Sequence, residues 1–129
     1  GEWRSRVGPV LADFSGRSPA AVVRRHVAAV ARRDPVAMAA DYTLNAVLER
    51  PGTCHEGWYA IADYFDSVPS RLAGRELTFG SMDAMGSDRI NLPWHITEGV
   101  DAVVSGHDTF QIVAGSIAHQ VTVLSEGDF

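Results

Sequence analysis

An α+β fold, with helices packed on one face of an antiparallel sheet, is predicted by the order in which two periodicities appear along the chain. Apolar residues recur at helical spacing as far as residue 71 and at alternating spacing from residue 76 onward. Gly86, Gly99 and Gly115 punctuate the second part into separate strands. At 129 residues the chain is the size of one domain, able to bury a core without disulfide or metal staples.

Each element has its own signal. Residues 1–17 lack sustained periodicity and read as an arm or linker before a domain spanning 18–129. Ser18 is a candidate N-cap and Pro19 occupies the first helical position. Val22, Val23, His26, Val27 and Val30 then form a buried stripe, with Arg24, Arg25, Arg32 and Arg33 mostly outside it. Asp34 and Pro35 repeat the cap-and-proline signal and open a short second helix, expected to run through Tyr42. "LNAVLER" reads as a strand with Leu44, Ala46, Leu48 and Arg50 on one face, ended by Pro51 and Gly52. A third helix is expected from His55 to Arg71, carrying Trp58, Ile61, Ala62, Tyr64, Phe65 and Val68. Strands follow at 76–84, 89–98, 102–113 and 116–125; the second sets Ile90, Leu92, Trp94 and Ile96 against Arg89, Asn91, His95 and Thr97.

Composition narrows the function. A net charge of −5 and a pI near 5.4 leave no basic excess for nucleic acid or an anionic membrane. No apolar run approaches the roughly 20 residues of a membrane span. With no charged-then-apolar leader in view, a cytoplasmic location is expected. All eleven basic residues are arginine, which removes Schiff-base chemistry on lysine. One cysteine, Cys54, excludes an internal disulfide and a multi-cysteine metal site. The histidines form neither an H-x-x-x-H pair nor a cluster with cysteine, and the glycines form no dinucleotide or Walker loop. No metal and no cofactor are therefore expected.

The strand "VVSGHDTFQIV" poses the chemical question. Alternation places Val104, Gly106, Asp108, Phe110 and Ile112 on one apolar face, so a carboxylate stands where a valine would be expected. Desolvation there raises its pKa, so Asp108 must be protonated, paired or near water; the bland reading is a structural aspartate tied to a neighbouring backbone or arginine.

Four landmarks carry a resemblance: "RRDPVAMAADYTLNAVLERPG", "EGWYAIADYF", "PWHITEG" and "GHDTFQIVAGSIAHQ". Over residues 18–125 their order resembles the nuclear transport factor 2-like superfamily, which includes SnoaL-like polyketide cyclases, ketosteroid isomerases, scytalone dehydratase and limonene epoxide hydrolase. The resemblance implies a cone, with a curved, mostly antiparallel sheet wrapped around three N-terminal helices and a deep apolar pocket. It also implies that Asp108 matches the isomerases' strand aspartate, which donates a hydrogen bond to a developing oxyanion. The other isomerase positions depart: the general-base aspartate falls on Arg50, the oxyanion tyrosine on His26 and a further tyrosine on Phe65, whereas Tyr42 matches a family tyrosine. A steroid isomerase is not expected, and the scaffold hosts many unrelated activities.

The expected site follows. Asp108 serves as acid or hydrogen-bond donor and His26 as base, the two forming a dyad, with Tyr42 and Arg50 steadying an enolate or alkoxide. Trp58, Phe65, Trp94, Phe110 and Gln120 complete the wall, and His95 replaces Trp94 if a bulge near Pro93 reverses the faces. His55, His107 and His119 have weaker claims. The reading is a cofactor-free lyase, isomerase or cyclase acting on a small apolar carbonyl or polyketide-like metabolite. The alternatives are a non-catalytic module for a small hydrophobic ligand or for dimerisation, and an epoxide hydrolase in which Asp108 and Arg50 cooperate. A homodimer is expected through an outer sheet face carrying Val103, Val113, Ile117, Val121 and Val123, unless the arm with Trp3, Val10, Leu11 and Phe14 covers that face.

Overall fold

The computed structural model describes residues 14–129, so most of the expected arm, with Trp3, Val10 and Leu11, lies outside the described residues. The element order is α1 (Pro19–Ala31), α2 (Pro35–Ala39), β1 (Tyr42–Arg50), β2 (Thr53–Glu56), α3 (Trp58–Leu72), β3 (Glu76–Phe79), β4 (Asp83–Ala84), β5 (Arg89–Glu98), β6 (Asp101–Val113) and β7 (Ser116–Glu126). The strands form one curved, unclosed sheet in the order β2-β1-β7-β6-β5-β3, with β4 also on β5. All pairings are antiparallel except β1 with β7. The three helices precede or interrupt the strands, and the core forms between them and the concave face.

Both N-caps form as the sequence predicts. Ser18 accepts from the Ala21 N–H at 3.2 Å and Asp34 from the Ala37 N–H at 3.2 Å, each with proline at the first turn. Val22, Val23, His26, Ala29 and Val30 are the buried stripe of α1. Two boundaries differ from expectation. The second helix stops at Ala39, so Tyr42 opens β1 rather than closing a helix. The third helix starts at Trp58, because Thr53–Glu56 turn back on β1 as a four-residue strand, too short to show a period of its own.

Register irregularities bend the sheet. Between Tyr42 and Val47 the pairing of β1 with β7 slips, and Leu44, expected on the inner face, stands 58% exposed within that slip. A second slip lies between Gln111 and Ile112 on β6: Ile112 pairs with Ile117, but Gln111 pairs with His119. Ala118 is the extra residue, and it changes the face of everything beyond it. Ile117, expected outside, is fully buried with Gln120, whereas His119 and Val123 remain outside.

The N-terminal end is clasped to the β6–β7 turn. Arg17 gives two hydrogen bonds to the Gly115 carbonyl, at 3.0 and 2.7 Å, and one to the fully buried Asp41 at 2.8 Å. Arg25 adds a second guanidinium 3.3 Å from the same Asp41 oxygen. Removing Asp41 alone would leave the Arg17 guanidinium without its carboxylate, whereas removing Arg17 would leave the buried Asp41 only the exposed Arg25.

Gly106 seats the pocket's tryptophan. It pairs with Trp94, and a Cβ there would stand 3.0 Å from the Trp94 ring and 2.3 Å from the Val123 carbonyl oxygen. Gly106→Val is expected to destabilise the fold by about 1–3 kcal/mol, the cost of overpacking, and to shift Trp94 into the pocket. A thermal melt with Trp fluorescence reads both effects; an unchanged melt would contradict this packing.

Candidate functional site

The concave face and the helices leave a pocket of about 530 Å³, its mouth included. It is lined by Asp108, Thr122 and Gln120 from β6 and β7, and by His26, Phe65 and Trp94 among others. Alternation fixes two of the expected positions: Trp94 faces inward, and His95 points outward against Ser105 and Thr78. Phe65 lines the pocket from α3. Trp58 and Phe110 do not. The Trp58 indole turns to the α2 side and donates to the Ala39 carbonyl at 3.0 Å, while Phe110 is wholly buried behind His26, with ring centroids 5.8 Å apart.

Asp108 is half-buried and touches the open space of the pocket. Thr122, directly opposite on β7, donates to its Oδ1 at 2.8 Å. Burial pushes the Asp108 carboxyl up to about 6, against the Thr122 hydrogen bond and the nearby Trp94 and Gln120 side chains, which favour the ionised form. The Trp94 indole N–H is buried without a hydrogen bond of ordinary geometry, so it stands at the edge of reach as a spare donor beside the carboxylate. A carboxyl near 6 exchanges its proton readily around neutral pH, which suits acid–base work.

His26 lines the same pocket, without a direct bond to Asp108. Its Nδ1 lies 3.1 Å from the Met38 carbonyl, which can only accept, so Nδ1 carries the proton and Nε2 a lone pair. Nε2 is 3.5 Å from the Tyr42 hydroxyl. Burial lowers the imidazole to about 4, with Asp41 and the Met38 carbonyl pulling the other way, so His26 is neutral at physiological pH. The Tyr42 hydroxyl donates to Gln120 Oε1, and Gln120 Nε2 lies 3.5 Å from Thr122 Oγ1. The one Tyr42 proton goes to Gln120, so none is left for the His26 lone pair, and the polar thread runs from Tyr42 through Gln120 and Thr122 to Asp108. The expected His26–Asp108 dyad does not form: His26 packs edge-on against the Tyr42 ring, centroids 5.4 Å apart, beside this thread.

Arg50 is likewise not on Asp108. Its guanidinium lies 4.4 Å from the centre of the Tyr64 ring and donates to the Phe129 main-chain oxygen at 2.7 Å. Thr122, Tyr64 and Phe129 therefore join the site beyond the expected set. His55 stacks on Tyr64 outside the pocket, His107 and His119 lie on the convex face, and among the described residues no cluster could hold a metal ion.

The sequence model of the SnoaL-like domain matches residues 23–120, a span that includes His26, Asp108 and Gln120. The chain belongs to the SnoaL-like domain family. Solved structures agree on the wider nuclear transport factor 2-like fold. A proposed polyketide cyclase from Sinorhizobium meliloti superposes with a TM-score of 0.66 at 21% identity, over 79% of this chain and 93% of the other. A proposed isomerase of the SnoaL-like family from Agrobacterium tumefaciens gives 0.67 at 20%, over 81% and 94%. A protein of unknown function from Cytophaga hutchinsonii with the same fold gives 0.68 at 12%, over 84% and 90%. No curated protein matches the chain. At these identities the likeness establishes the fold, and a SnoaL-like domain's chemistry must be argued from its own pocket. No helix among the described residues is long and apolar enough to cross a membrane.

Proposed function

We propose that this SnoaL-like domain is a cofactor-free isomerase, lyase or cyclase that moves protons on a small apolar carbonyl compound of polyketide-like character. The observation that carries this reading is Asp108: a carboxyl facing an apolar cavity, held by Thr122, with its pKa pushed up to about 6. Ionised Asp108 removes a proton from the carbon next to the substrate carbonyl and, once protonated, returns it to another atom. The spare Trp94 N–H steadies whichever form is charged. Tyr42 orients Gln120, and Gln120 the Thr122 hydroxyl, while neutral His26 packs against the Tyr42 ring. The test is exchange of α-protons of aryl ketones in D2O, followed by proton NMR; acceleration by the wild type and its loss in Asp108→Asn support the reading. Acceleration that survives the substitution assigns the base elsewhere, and a wild type that does not accelerate exchange leaves the second reading, a non-catalytic carrier for a hydrophobic ligand, which the neutrality of His26 favours. The epoxide-hydrolase alternative loses support because Arg50 engages Tyr64 and Phe129 instead of Asp108.

The same proposal takes the convex sheet face as the contact between two copies. Val113 and Val123 stand 51% and 43% exposed there, with Val103 and Val121 half-buried beside them. Light scattering at micromolar concentration should give twice the chain mass, and Val121→Asp should halve it without changing ligand binding in the pocket. A wild-type mass of one chain would overturn the dimer.

A further inference from the structure

The direction of each hydrogen bond along the polar thread follows from its carboxylate end. Ionised Asp108 can only accept, so its Oδ1 takes the Thr122 proton across 2.8 Å. Thr122 Oγ1 then has only lone pairs to offer Gln120, which turns its amide Nε2 toward them at 3.5 Å and its Oε1 toward Tyr42. The single Tyr42 hydroxyl proton is committed to that Oε1. His26 Nε2, 3.5 Å from the Tyr42 oxygen, therefore meets an atom whose proton points elsewhere.

The other nitrogen of the ring is spoken for. Nδ1–H goes to the Met38 carbonyl at 3.1 Å, which fixes the tautomer and leaves Nε2 as a bare acceptor. Two further rings pack on the imidazole, Phe65 and Phe110 at 5.3 and 5.8 Å between centroids, and neither has a proton to give. His26 is only 4% exposed, yet it lines the cavity beside Val30, Phe65 and Val68. A molecule that fills this space with carbon alone seals an acceptor away from water without a partner, and one that brings a hydroxyl supplies the partner. The same cavity holds a buried donor in want of an acceptor, the Trp94 indole N–H, on the side of Asp108.

We propose that His26 Nε2 is a specificity-determining acceptor, and that the pocket takes an apolar ketone bearing a hydroxyl remote from its carbonyl, the hydroxyl donating to His26 while the carbonyl end lies at Trp94 and Asp108. This rests on the reading of the pocket as a substrate site and narrows the substrate class to hydroxylated ketones. A site that hydrogen-bonds a substrate hydroxyl discriminates against the analogue lacking it, because its own polar group is then left unpaired. With Nδ1–H tied to Met38, His26 has no proton to hand to a departing hydroxide. The hydroxyl is held in place, and the chemistry at the carbonyl end is isomerisation or cyclisation without loss of that group as water.

The experiment titrates 2-acetonaphthone, its 6-hydroxy and 7-hydroxy derivatives and their methyl ethers into the full chain at pH 7.5 by calorimetry. At least one hydroxy probe should bind tenfold or more tightly than both its ether and the parent ketone, and His26→Phe should remove that preference while leaving the affinity for the parent undiminished, which also shows that the variant is folded. In wild-type protein labelled with 15N at histidine, the Nε2 resonance of His26 should move upfield on adding the preferred hydroxy probe and stay in place with its ether, a readout that needs no variant. No hydroxyl preference, a preference that survives His26→Phe, an unmoved Nε2 resonance, or no binding of any probe overturns the proposal. Asp108→Asn keeps this outcome separate from the catalytic reading: it should retain the hydroxyl preference while losing proton exchange. A wild type with Asp108-dependent exchange on 2-acetonaphthone but no hydroxyl preference would sink the role of His26 alone.

Discussion

Asp108→Asn is expected to lower α-proton exchange by about 10²- to 10⁴-fold, the usual contribution of a positioned acid–base group, while making the protein more stable above pH 6. Asparagine keeps the shape and still accepts from Thr122, but it removes a carboxyl that burial pushes up to about 6. A group whose folded pKa is raised favours its protonated form in the native state, so its stabilising contribution is present at low pH and is lost as pH rises through 6. A shift of roughly two units bounds the gain in the variant at about 3 kcal/mol, and water reaching the half-buried carboxyl through the pocket reduces it toward 1. Loss of exchange together with a higher melting temperature at pH 7.5 cannot come from unfolding. In the wild type, kcat/KM for exchange should climb with pH through an inflection near 6, since the free enzyme needs ionised Asp108 as base. A flat profile across that range would assign the base elsewhere.

Much of this site was legible in the sequence because it depends on local periodicity. Alternation along "VVSGHDTFQIV" and "RINLPWHITE" suffices to place Asp108 and Trp94 inside and His107 and His95 outside, and the structure agrees at all four. Thr122, the direct partner of Asp108, was hidden by one residue of register. Counting back from the tight turn, where Val113 meets Ser116, would set Val121 opposite Asp108; the bulge at Ala118 advances the pairing and delivers Thr122 instead. The same bulge brings Gln120 and Ile117 to one face although they are three apart, and no side-chain pattern announces it. Trp58 had the right helical spacing for a pocket residue. Its N–H instead found the Ala39 carbonyl at the buried C-terminal end of α2, a tertiary choice that spacing cannot encode. Arg50 finds its partners at Phe129 and at Tyr64 on α3, which nothing within "LNAVLERPG" announces.

His26 and Asp108 impose opposite pH dependences on stability, and separating them is the second large effect expected. The folded pKa of His26 is lowered to about 4, so the unfolded chain binds more protons between pH 4 and 6.5 and stability rises with pH across that window. The folded pKa of Asp108 is raised to about 6 from 3.8, so there the native state binds more protons and stability falls with pH between 3.8 and 6. The two slopes nearly cancel from pH 4 to 6. Asp108→Asn leaves the His26 slope unopposed: relative to the wild type, the variant should lose roughly 1–3 kcal/mol more on acidification from pH 7 to 4. His26→Gln leaves the Asp108 slope, so whatever its stability at pH 7, it should lose about 3 kcal/mol less than the wild type over the same interval. The groups facing His26 are Asp41, which holds its pKa up, and the Tyr42 hydroxyl; the charge of His107, across the sheet on the convex face, favours the ionised form of Asp108. All of them remain in both variants, and the titration of the other carboxylates is common to all three proteins, so it drops out of the differences. Urea unfolding of the three at pH 4, 5, 6 and 7 measures those differences directly. Parallel curves would mean that neither group changes its proton affinity on folding, and the acid–base assignment of Asp108 would fall with them.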